Sequence, residues 1–117
     1  MINVYLDDVR PCPRGFVAAR SAEECHHLFE AEEVDVLSLD FELGLGMPNG
    51  LSVVQALIAT GRFPKRVYVH SSSMMGRAQM VRAFRDAAPA GLAIHDGPMS
   101  DDVLREAAEA ARRASGG

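Results

Sequence analysis

The sequence predicts an α/β domain of three layers, in which helices cover both faces of a mostly parallel sheet of about five strands. Two observations carry this reading. Short apolar runs alternate with segments of helical period along the whole chain. Each well-defined apolar run also ends in a polar or acidic residue, as at Leu6-Asp7-Asp8, Leu39-Asp40 and Val69-His70.

The first strand is Ile2 to Leu6, closed by Asp7 and Asp8. Phe16 to Ala19 is a weaker second strand, and Ser21-Ala22-Glu23-Glu24 opens a helix as a capping box, with Cys25, Leu28 and Phe29 on its apolar face. That helix is expected to end near Glu33. Val34 to Leu39, rich in branched apolar residues, reads as a central strand buried on both faces. The loop Gly44 to Gly50 leads to a helix with Val54, Leu57 and Ile58 inward and Gly61 as its stop. Val67 to Val69 is the next core strand. A helix from about Gly76 to Ala87 follows, with Met80, Ala83, Phe84 and Ala87 spaced along one face. Leu92 to Ile94 is the last strand. Ser100 caps a final helix with Asp101 and Asp102 in its first turn and Arg112 and Arg113 in its last, complementing the helix dipole.

Residues 1–114 are expected to form a single domain, with 115–117 a disordered tail. The 117 residues, 48% of them hydrophobic, suffice for one core without disulfides. No apolar run approaches the roughly 20 residues a membrane crossing needs, and Met1 to Leu6 lacks the pattern of a secretory signal, so a cytoplasmic location is expected. Cys12 and Cys25 read as free thiols. A formal charge of −4 with scattered arginines does not mark a broad nucleic-acid surface, although a local basic cluster can hold one phosphate-bearing end.

Ligands of open parallel sheets bind beyond the carboxyl ends of the strands. Those ends supply Asp7, Asp8, Asp40, His70 with Ser71, and His95 with Asp96. Carboxylates about 5 Å apart repel by roughly 3 kcal/mol at an effective dielectric near 20, so three acids in one pocket call for a cation or a proton. Magnesium is the expected ion, because it favours hard carboxylate oxygens and keeps room for water and phosphate. Two other features read blandly: His26 and His27 diverge by about 100° on a helix, and Gly44-x-Gly46 lacks the third glycine of a dinucleotide loop.

An acidic pair ending the first strand, an aspartate ending the central strand and a hydroxyl ending the next resemble a response-regulator receiver domain, of flavodoxin-like fold. The resemblance implies a phosphoacceptor at Asp40, magnesium held by Asp7 and Asp8, and a phosphate-sensing hydroxyl at Ser71. Two departures stand out. Gly97 precedes Pro98 where receivers carry a lysine, and the stretch from Asp8 to Gly15, with Pro11 and Pro13, cannot hold the usual first helix. Phe16 to Ala19 is then either an unusually short crossover or an antiparallel edge strand.

Both departures, together with Leu6-Asp7-Asp8-Val9-Arg10-Pro11, Asp40-Phe41-Glu42-Leu43-Gly44 and His70-Ser71-Ser72-Ser73-Met74-Met75-Gly76-Arg77, resemble the cyclic-phosphate processing receiver family. That family is a degenerate receiver branch associated by inference with RNA repair. It usually reads Asp-His-Asp-Leu-Gly after the central strand, and this chain has Asp40-Phe41-Glu42 instead. It also usually has Asn-Pro near Ser73-Met74.

The expectation is a pocket in which Asp7, Asp8, Asp40 and Glu42 hold Mg2+, with Asp40, Ser71 and a proton-shuttling His70 as catalytic residues. Arg10 and Arg77 would clamp the phosphate ester. The alternatives are a phosphoacceptor receiver, signalling through a separate partner protein, and a non-catalytic interaction module of the same fold.

Overall fold

The computed structural model describes residues 1–116. Its strands are β1 (Ile2–Leu6), β2 (Val17–Ala19), β3 (Val34–Leu39), β4 (Arg66–Val69) and β5 (Ala93–His95), and its helices are α1 (Ala22–Ala31), α2 (Gly50–Thr60), α3 (Met74–Ala87) and α4 (Asp101–Gly116). The strands form one sheet in the order β2-β1-β3-β4-β5, and every neighbouring pair is parallel. This resolves the open direction of the second strand: Val17 to Ala19 runs parallel to β1, with Leu6 opposite Ala19.

A parallel neighbour without a crossover helix needs another way to turn the chain, and residues 7–16 find it in side chains. Asp7 Oδ1 accepts the backbone N–H groups of Val9 and Arg10, both at 2.9 Å, which bends the chain directly after β1. Gly15, at φ +89°, packs so closely on α4 that a Cβ there would collide with the Ala107 carbonyl. Asn3 sews the turn to the sheet, donating to the Gly15 carbonyl at 3.3 Å and accepting from Val36 N–H at 3.3 Å where β1 slips register.

The core lies between the sheet and α1, α2 and α3. Val4, Leu6, Leu37, Leu39, Val67 and Val69 alternate inward along the strands and meet Phe29, Leu57, Met80 and Phe84. Full burial of side chains of this size contributes about 1.5–3 kcal/mol each. The opposite face carries Tyr5, Val36, Ser38 and Tyr68, all buried; α4 crosses it, with Val103 and Ala107 over Asn3, Val36 and Arg66, and the 7–16 crossover packs beside it, Gly15 on Ala107 and the Phe16 ring edge-on to Tyr5. This face therefore mixes aromatic and polar groups, and its order comes from hydrogen bonds as much as from packing.

Local signals set most boundaries. Ser21, Asn49 and Ser73 each accept an N–H in the first turn of α1, α2 and α3, and Ser100 accepts from Val103 N at 3.3 Å at the head of α4. The Glu24 carboxylate reaches past Ser21 to the backbone N–H of Arg20 at 2.6 Å, a variation on the expected box. α1 ends at Ala31, two residues before Glu33. α3 begins at Met74 and Ala87 is exposed, because the helix ends there rather than continuing its inward stripe. α4 runs to Gly116, with the Ser115 hydroxyl donating to the Ala111 carbonyl at 2.7 Å; Gly117, the last residue of the expected tail, lies outside the described residues. No helix among the described residues is long and apolar enough to cross a membrane.

Candidate functional site

Leu6, Leu39 and Val69 stand opposite one another in the parallel register, so the residues that follow them, Asp7, Asp40 and His70, line up as a row across three adjacent strand ends. Backbone bonds extend the row: Asp40 N donates to Leu6 O at 3.0 Å and His70 N to Leu39 O at 3.1 Å. Residues far apart in sequence thereby become neighbours. One ligand atom from each of Asp7, Asp40 and His70 falls within 4.8 Å of the others.

Asp7 is fully buried, and each of its oxygens has a hydrogen-bond partner. Its Oδ1 takes the two turn amides, while its Oδ2 lies 2.9 Å from His70 Nε2 and 3.7 Å from Arg10 Nε. Burial pushes its pKa up, but the Arg10 and Val9 amides and the His70 bond outweigh that, and the carboxyl sits below its ordinary value. On His70, burial acts first and lowers the pKa, more than the neighbouring carboxylates raise it. A neutral imidazole beside an ionised carboxylate carries its proton on Nε2, which donates to Asp7; Nδ1 is then the acceptor for the Ser38 hydroxyl at 2.6 Å. The ring also stacks on Tyr5, with centroids 4.7 Å apart and planes 3° from parallel.

Ser38, His70 and Asp7 thus form a buried hydrogen-bonded chain. Both nitrogens of His70 are occupied and its side chain is 3% exposed, so the ring is a support for Asp7; the expected proton shuttle lacks a free nitrogen facing solvent. Ser38 escaped the sequence reading because a serine inside Val-Asp-Val-Leu-Ser-Leu resembles a strand spacer. Its sharing of a side with Asp40, two residues on, was the available signal. Arg20 was also missed. Its Nη1 donates to the carbonyls of Asp7 at 2.9 Å and Arg10 at 2.6 Å, pinning the turn from the end of β2.

Beside the row opens a cleft of about 620 Å³, bordered by Asp8, Arg10, Asp40, Glu42 and Ser72. Asp40 Oδ1 accepts the N–H of Phe41 at 2.7 Å, and the residue is only partly buried. Asp8 and Glu42 therefore share a cleft with Asp40 but stand outside the tight cluster of Asp7, Asp40 and His70. Gly44, at φ +112°, lays bare backbone near Asp8, where a Cβ would be 3.6 Å from Oδ2. Arg10, half exposed, faces this cleft while its Nη1 donates to the His70 carbonyl at 3.0 Å.

The remaining expected residues have other partners. Ser71 is buried and its hydroxyl accepts Ser73 N–H at 3.1 Å, so Ser72 is the serine on the cleft. Arg77 points toward the β5 side, donating to Asp96 at 2.8 Å and to the Ser71 carbonyl at 3.0 Å, and it does not border the cleft. Of the two arginines, Arg10 is the one that adjoins the acidic residues of the cleft.

Residues 2–86 match the family model of the cyclic-phosphate processing receiver domain. The chain belongs to that family. No curated protein matches it. The match runs from β1 through nearly all of α3, so every member of the Asp7–Asp40–His70 row and every residue named around the cleft lies within the receiver-domain match. β5, α4 and the Gly97-Pro98 step lie beyond it.

The arrangement suits a cation. Asp7 and Asp40 bring carboxylate oxygens within 4.8 Å of one another, a separation at which unit charges repel by roughly 3–4 kcal/mol at an effective dielectric near 20. Arg10, at 3.7 Å from Asp7, offsets part of this repulsion. Carboxylates bordering an open cleft provide the hard oxygen donors and the free space for water that a divalent ion needs.

Proposed function

We propose that this receiver-family domain binds phosphate esters at a Mg2+ site held by Asp7, Asp8 and Asp40, with Glu42 at its border, and that it opens cyclic-phosphate ends of nucleic acid in RNA repair in the cytoplasm. The observation that carries the reading is the convergence of the buried Asp7 with Asp40, which borders a cleft that also holds Asp8 and Arg10. Without a cation the cleft presents three carboxylates against one guanidinium and would repel a phosphate. When bound, the ion supplies a counter-charge for the phosphate oxygens and lowers the pKa of water.

The protein's own groups divide the rest of the work. Arg10 offers a guanidinium fork to the phosphate. Ser38 and His70 hold Asp7 ionised and fixed, which makes His70 a positioning residue. Ser71 shapes the loop that presents Ser72. In the reaction, water adds to phosphorus, the bond from phosphorus to one ribose oxygen breaks, and that oxygen takes up a proton. The carboxylates of Asp40 and Asp8, which face the cleft, are the groups able to pass that proton.

Incubation with adenosine 2′,3′-cyclic monophosphate and Mg2+ tests this. The expected product is a phosphomonoester, lost with chelator and in Asp40→Asn and Asp8→Asn. Absence of both turnover and Mg2+-dependent binding would overturn the reading. Tight binding of beryllofluoride at Asp40 without turnover would replace it with a phosphoacceptor role.

A further inference from the structure

The cleft is larger than a phosphate and its ion require, and its outer wall is apolar. Of the seven large hydrophobic side chains that stand exposed among the described residues, Val9, Leu45 and Met47 lie on the loops that follow β1 and β3, and Met74 and Met75 open α3 just beyond β4. Scattered exposed apolar residues are ordinary; their gathering at one end of one sheet is not. Val9, Leu45 and Met47 border the same cleft as Asp8, Asp40 and Arg10. Leu45 is completely exposed, held out between Gly44 at φ +112° and Gly46 at φ +75°, and Val9 is 78% exposed.

An apolar lip above a charged floor matches an amphiphilic ligand whose charged end goes down and whose apolar end stays at the mouth. A bare phosphate would leave the lip in water, and a sugar phosphate would set hydroxyl groups against leucine and methionine. A flat aromatic ring fits instead. Unbranched methionine adapts to a ring face and edge, and the sulfur of Met47 adds a favourable contact with an aromatic system. The geometry points to Val9, Leu45 and Met47 as the residues that select phosphate esters bearing a planar aromatic group, such as a nucleobase, over inorganic phosphate and sugar phosphates. This rests on the phosphate-ester reading of the cleft and adds to it the part of the ligand beyond the phosphorus.

Three ligands separate the two claims. Inorganic phosphate, ribose 5-phosphate and phenyl phosphate are titrated into the full chain with Mg2+, and binding is followed by calorimetry. Phenyl phosphate carries an aromatic ring without any nucleoside, so it isolates the lip. It is expected to bind about tenfold or more tightly than ribose 5-phosphate, the gain from burying one face of a ring. In the double variant Leu45→Ser, Met47→Ser that preference disappears; both positions are solvent-facing, so the fold is retained and is checked by circular dichroism. Equal affinity for the three ligands in the wild type, or a preference that survives the double variant, would overturn the inference and leave the phosphate site standing. No Mg2+-dependent binding of any of them would overturn the phosphate site itself and the inference with it.

Discussion

Asp7 and His70 make the stability of this protein depend on pH in a direction the geometry sets. His70 is held neutral by burial, so its folded pKa lies below the ordinary value near 6.5. The unfolded chain then binds more protons than the folded one as pH drops below that value, and stability present above it is lost on acidification. Asp7 has its folded pKa lowered by the turn amides and His70 against the effect of burial, and its contribution is lost further down, as pH falls below about 3.9. Urea denaturation from pH 7.5 to 3 should show both declines, and His70→Gln should remove the upper one. An unchanged midpoint between pH 7 and 5 in the wild type would contradict a neutral buried imidazole. Asp7, Asp40 and His70 were legible because each ends an apolar run. Ser38 and Arg20 were not, since their roles depend on register and strand direction. Only the pairing of Ser38 with Tyr68 brings its hydroxyl diagonally to His70.

At the scale of elements, the junction of β3 and α2 controls where Asp40 sits. Gly50 opens α2, donates to the Phe41 carbonyl at 2.7 Å, and leaves no room for a Cβ against the Asp40 carbonyl and Met80 Sδ. Gly50→Ala must therefore push the strand end outward, and Mg2+ affinity should fall about 10–100-fold, as for other supports of metal ligands. Gly61→Ala is the control: it closes the same helix at φ +72° in open space, so about 1 kcal/mol of stability is lost with ion affinity intact. Isothermal calorimetry with Mg2+ beside urea denaturation reads both effects, and equal affinities in the two variants would contradict the junction's role. The central strand, the helix that Gly61 stops and the caps Ser21 and Ser100 were readable because each has strong local chemistry; the cap at Ser73 was not, and α3 starts two residues before the expected Gly76. β2 was readable as a strand but not in its direction, which rests on the tertiary ties of Asp7, Asn3 and Arg20 across the loop.

At the scale of the whole molecule, negative charge is concentrated at one end of an already acidic chain, −4 overall. A cation that binds only the folded state relieves that concentration, and at a hundredfold excess over its Kd it adds about 2.7 kcal/mol of stability. Thermal unfolding should shift upward by several degrees on adding Mg2+, and Asp40→Asn should remove the shift. An unchanged melting curve would count against a resident ion. The overall α/β architecture could be read from the alternation of runs. The unequal character of the two sheet faces was legible only in part: the stretch from Asp8 to Gly15 excluded the usual first helix, but which helices share a face depends on the strand order.

That thinly covered face brings an optical consequence. The chain has no tryptophan and two tyrosines, and each tyrosine is stacked on an imidazole: Tyr5 on His70 and Tyr68 on His95, with ring centroids 4.7 and 4.3 Å apart. Excited at the red edge, where its five phenylalanines do not absorb, its emission therefore originates from two phenols, one of which lies against the ring that braces Asp7. Events at the acidic row reach that phenol through direct contact, so the unlabelled protein carries a built-in fluorescent reporter of its own site.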